Sequence, residues 1–63
     1  METWEIYEAT PDELKLVREW VSKRNAVSER IDAETLNVHC EDGDLEDELS
    51  ELCNAYGIKS RLL

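Results

Sequence analysis

At 63 residues, with 16 acids against 7 bases and a net charge of -9, this chain repels nucleic acid and anionic membrane surfaces and attracts basic ones. One small α+β domain spanning residues 1–63 is expected, with no room for a separate catalytic lobe; a core of this size buries only about 60% of the unfolded surface and leaves stability marginal. Apolar residues make up 41% of the chain but never run beyond two in succession, which favours a patterned core over disorder, provides neither a membrane span nor a signal-peptide hydrophobic region, and sets a cytoplasmic location as the expectation.

Residues Thr3 to Ala9 alternate, with Trp4, Ile6 and Glu8 on one face and Glu5, Tyr7 and Ala9 on the other, and predict a first strand. Thr10-Pro11-Asp12-Glu13 then supplies an N-cap, a proline at the first helical position and a glutamate placed to close a capping box. The helix it opens gathers Leu14, Leu16, Val17, Trp20 and Val21 on an arc of about 160° at 100° per residue. Leu16 and Trp20 lie at the edge of that arc, as flank of the core or as anchors of an interface such as a homodimer. From Asn25 to Ala33 the periodicity fades, leaving this stretch as extra helix or covering loop.

Glu34 to Cys40 alternates again and predicts a second strand. After the Glu41-Asp42-Gly43-Asp44 turn, Asp44 is the expected cap of a second helix with Leu45, Leu49, Leu52, Cys53 and Tyr56 on its apolar face. Gly57 is the expected left-handed stop, with Ile58 folding back on the last turn and a short third strand running to Leu63. The reading is a small α+β domain in β-α-β-α-β order. Two helices pack on one face of a parallel or mixed three-stranded sheet, through right-handed crossovers. The other face of the sheet is expected to hold some of Tyr7, Thr35, His39 and Arg61.

The charge is uneven. Residues 1–31 hold seven acids and five bases, net -2, and residues 32–63 hold nine acids and two bases, net -7. Glu41, Asp42, Asp44, Glu46, Asp47, Glu48 and Glu51 follow one another without a cation. The glycine in Asp42-Gly43-Asp44 breaks the ligand register of a helix-loop-helix calcium site. Early acids suit the positive end of a helix, which does not account for Glu48 and Glu51 without cations one turn on; a high-salt cytoplasm, which favours acidic chains with few lysines, is an alternative compatible with the three lysines here. The sharper expectation is phosphate mimicry. Glu41, Asp42, Asp44, Asp47, Glu48 and Glu51 would present carboxylates to a basic groove built for DNA or RNA, Asp47 and Glu51 standing about 6 Å apart along the axis.

The remaining reactive residues suggest little chemistry. His39 and Cys40 are neighbours on a strand and point to opposite faces, so they form no metal site together, and no orienting group accompanies Ser50 or Cys53 as a nucleophile. Cys40 and Cys53 read as small buried hydrophobes, a disulfide requiring the strand end at Cys40 to meet the second helix. Trp4 and Trp20 read as core. Lys23, Arg24 and Arg30 are too few to bind nucleic acid and are expected to pair with nearby acids. No catalytic residue, metal or cofactor is expected. The expectation is an acidic interaction module, an inhibitor of the phage or anti-CRISPR-like kind working in a host cytoplasm; the alternative is a structural or homodimeric domain with a merely solvated acidic face.

Overall fold

The computed structural model describes residues 2–24 and 26–63; Asn25, at the start of the stretch where periodicity fades, lies outside them. The elements are β1 (Glu2–Ile6), α1 (Pro11–Ser22), β2 (Val27–Arg30), β3 (Leu36–Cys40), α2 (Gly43–Tyr56) and β4 (Ser60–Leu62). Four strands pair in the order β2-β3-β1-β4, every neighbour antiparallel. Two β-α-β units are thereby interlocked. β1 and β2 run parallel with β3 between them, and β3 and β4 run parallel with β1 between them, the split arrangement of ferredoxin-like type.

This corrects the expected three-stranded parallel or mixed sheet and its β-α-β-α-β order. The additional strand is β2, in the segment without periodicity. It has no apolar stripe because it is an edge strand: Val27 is 62% exposed, and the residues it turns toward the helix layer, Ser28 and Arg30, are polar. A tight loop joins it to β3, with Ile31 N–H donating to Thr35 O (3.0 Å) and Glu34 N–H to Asp32 Oδ1 (2.8 Å). A hairpin this short forces antiparallel pairing.

β1 also ends earlier than its alternation predicts. Glu8 adopts φ +50, a left-handed conformation uncommon for a residue with a Cβ. That kink interrupts the period of two. Glu8 turns outward to pair with Lys59, while Ala9, expected opposite Trp4 and Ile6, joins the core at 3% exposure. The Lys59 ammonium holds the Glu8 carboxyl below its ordinary range, and the Glu34 N–H does the same for Asp32. Both contributions to stability are present above the carboxylate range and are lost as the pH falls through the lowered values.

Both helices lie on one face. Leu14, Val17 and Val21 of α1 and Leu45, Leu49 and Cys53 of α2 share a core with Ile6, Leu36, Val38 and Cys40 of the sheet, and Trp4, Leu16, Trp20 and Leu52 pack at its margin. The capping box at Thr10 forms as expected, Glu13 N–H donating to Thr10 Oγ1 (3.2 Å) and Thr10 N–H to Glu13 Oε1 (2.9 Å). Thr10→Ala is expected to lower stability by about 1 kcal/mol with the helical circular-dichroism signal retained; a thermal melt unchanged from the parent would refute the cap's contribution.

Helix α2 begins one residue after Asp42, not after Asp44. Asp42 accepts the Leu45 N–H on its carboxylate (2.9 Å) and the Glu46 N–H on its carbonyl (3.3 Å), so two otherwise orphaned donors are satisfied by the earlier start. Gly57 ends the helix at φ +67, and the Ile58 N–H reaches back to Cys53 O (2.8 Å).

Cys40 and Cys53 are unbridged and buried, and desolvation pushes both thiols above their ordinary value, helped at Cys40 by the charges of Glu46 and Asp42 and opposed at Cys53 by a hydrogen bond from Ser60. Both should therefore resist iodoacetamide at neutral pH in the folded protein and react once denaturant unfolds it. Rapid labelling of either in the native state, read by mass spectrometry, would contradict this packing.

Candidate functional site

The expected acidic face is divided by the fold into parts with different duties. Measured from Leu49 at 100° per residue, Asp44, Asp47 and Glu51 fall within an arc of about 60° on the opposite side of α2. All three are exposed and enter no hydrogen bond or ion pair among the described residues. They span about 10 Å along the axis. Glu41, also exposed, precedes the cap.

The remaining acids are committed elsewhere. Asp42 is the N-cap. Glu48 turns toward the end of α1 and pairs with Arg24 (3.2 Å) across a half-exposed contact, which contributes little to stability and neutralises its charge locally. Glu46 turns to the other flank and accepts the Trp4 Nε1–H (3.0 Å), joining α2 to β1. The indole therefore keeps its polar edge satisfied while its ring lies against the core.

One carboxylate invisible to a local reading lies at the same end of the sheet as the start of the acidic run. Glu2 stands opposite Cys40 in the β1–β3 register and is exposed, so it reaches the end of the sheet from which Glu41 departs. Its distance in sequence from the acidic run concealed the neighbourhood. Leu16 and Trp20 are half-buried against the margin of the core, on the flank of α1.

The face of the sheet away from the helices carries the residues anticipated for it. Thr3 Oγ1 and His39 Nδ1 are hydrogen-bonded at 2.8 Å, Arg61 Nε donates to Glu5 Oε1 at 2.6 Å, and the Arg61 guanidinium lies 4.7 Å from the centre of the Tyr7 ring. The Asn37 Oδ1 among them is buried without a partner. Among the described residues no three His, Cys, Asp or Glu side chains stand where they could hold a metal ion together, and no helix is long and apolar enough to cross a membrane.

No protein-family model matches this chain, and searches of curated proteins and of solved structures return no match either. The topology by itself is compatible with many unrelated functions, which are carried by the surface grafted on it.

Proposed function

We propose that this chain is a small interaction protein that seats the α2 strip in the basic nucleic-acid-binding groove of a larger protein and so excludes the nucleic acid. The observation that carries this reading is the separation of duties on α2. Asp42, Glu46 and Glu48 serve the fold, whereas Asp44, Asp47 and Glu51 line up in water with no side-chain partner among the described residues. Like charges held this close raise the energy of the folded state, and a complementary cationic surface relieves that repulsion on binding. Glu41 and Glu2 extend the strip beyond the helix. A phage-type inhibitor of a host nuclease or polymerase is the setting this size and charge suit best.

Displacement is the test. Purified basic nucleic-acid-binding proteins, an RNA-guided nuclease and an RNA polymerase among them, are loaded with fluorescent duplex DNA and titrated with this chain at 0.1 M salt, where charges interact over about 10 Å. Release of DNA from at least one, in competition with added unlabelled DNA, is the expected result. Proteins that hold this chain and DNA together without interference, or none that bind it at all, would reduce the strip to a solvated helix face.

A further inference from the structure

A second surface has the opposite charge. A groove of about 480 Å³ lies between α1 and the end of the β2–β3 hairpin, with Leu14, Ala33 and Leu36 as its apolar part and Lys15, Arg18 and Arg30 around it. That volume falls within the ordinary range of ligand sites. Glu19 is the one acid lining it, so three cations and one anion leave the groove at +2 on a chain of -9.

The cations are also available. Three of the chain's seven bases, Arg24, Lys59 and Arg61, are held in ion pairs, and among the described residues none of the groove's three is. Arg30 makes a single contact with a backbone carbonyl, that of Asp32 (3.3 Å). Here three share one concavity outside any ion pair among the described residues.

The groove borders a free sheet edge. β2 pairs with β3 alone. In this hairpin the Ile31 N–H points to β3, and in an antiparallel ladder alternate residues point alternate ways, so Ser28 and Arg30 turn their backbone N–H and C=O outward. An extended chain has the complementary groups. The groove also follows α1 from Pro11 to Ser22, about 16 Å at helical rise, which matches roughly five residues of a strand.

We propose that this groove binds an extended acidic peptide segment, which adds to the sheet as a fifth strand beside β2, places short apolar side chains against Leu14 and Ala33, and sets its carboxylates on Lys15, Arg18 and Arg30. This surface is independent of the α2 strip, and a protein carrying both holds a basic partner with one side and an acidic segment with the other.

A fluorescein-labelled octapeptide alternating glutamate and valine is the probe, with an octapeptide alternating lysine and valine, and decanoate, as comparators. The acidic peptide should bind saturably by anisotropy at 0.15 M salt. Its affinity should fall by at least about tenfold in the Lys15→Glu, Arg18→Glu double variant and in Arg30→Glu, and hold in Lys23→Glu, which reverses a cation outside the groove. Lys15→Gln with Arg18→Gln should weaken it less, in a variant whose melting curve matches the parent. Amide exchange at Ser28 and Arg30 should slow on binding. The proposal is overturned by a lysine peptide that binds equally well, by unchanged exchange at both amides, or by decanoate filling the groove while the acidic peptide does not. Self-association abolished by the same charge reversals would likewise overturn it, by assigning the groove to a second copy.

Discussion

Replacing Asp44 and Asp47 by asparagine and Glu51 by glutamine in one variant is expected to slow association with a basic partner by roughly tenfold at low salt, because steering by clustered charge accounts for about one to three decades of such rates. Dissociation should change less, and the difference from the parent should shrink as salt rises and screening shortens the reach of each carboxylate. The fold should survive. These three side chains point away from Leu49 and enter no ion pair among the described residues, and relief of their mutual repulsion offsets the favourable position of Asp44 near the helix N-terminus. Glu48→Gln and Asp42→Ala are the informative contrasts. The first breaks the Arg24 pair and should remove well under about 1 kcal/mol, whereas the second removes the cap and should lower stability by about 1 kcal/mol. Equal association rates for the triple variant and the parent, read by stopped-flow fluorescence, would end the mimicry reading.

Leu49→Ala should have the largest effect on stability. Leu49 is 1% exposed, at the centre of the α2 stripe between Leu45 and Cys53. Deleting a buried leucine side chain removes its transfer free energy and leaves a cavity, for a loss of about 3 kcal/mol. A domain of this size has only roughly 3 to 9 kcal/mol in all. Since each kcal/mol lowers the melting temperature of so small a domain by roughly 4–8 °C, a fall of roughly 12–24 °C is expected. Leu52→Ala, at a half-buried position on the margin of the core, should cost clearly less. A loss below about 1 kcal/mol for Leu49→Ala would mean that α2 is not seated on the sheet through this residue.

Helix α1 was legible because its signals are local. Thr10, Pro11 and Glu13 act within one turn, and the spacing of Leu14, Val17 and Val21 repeats the helical period. Gly57 was legible for the same reason, its left-handed φ being a property of one residue. The alternation of Leu36, Val38 and Cys40 marked β3 correctly because a central strand with one covered face must alternate.

Apart from the cap of α2, which falls at Asp42 in place of Asp44, what failed had its cause elsewhere in the chain. β2 is a strand because β3 provides its ladder, and an edge with polar residues toward the helix layer needs no apolar period. The turn of Glu8 and the burial of Ala9 depend on Lys59 and Glu34, which only the folded chain brings near. The same holds for function. Composition by itself established a strongly acidic chain, since charge is additive along a sequence, and the order of residues concentrated five of its 16 acids in the segment that forms α2. Tertiary structure decided which of those carboxylates remain free, by setting Arg24 beside Glu48 and Trp4 beside Glu46, and it gathered Lys15, Arg18 and Arg30 into one groove. Pairing and concavity arise between residues far apart in sequence, so no local pattern records them.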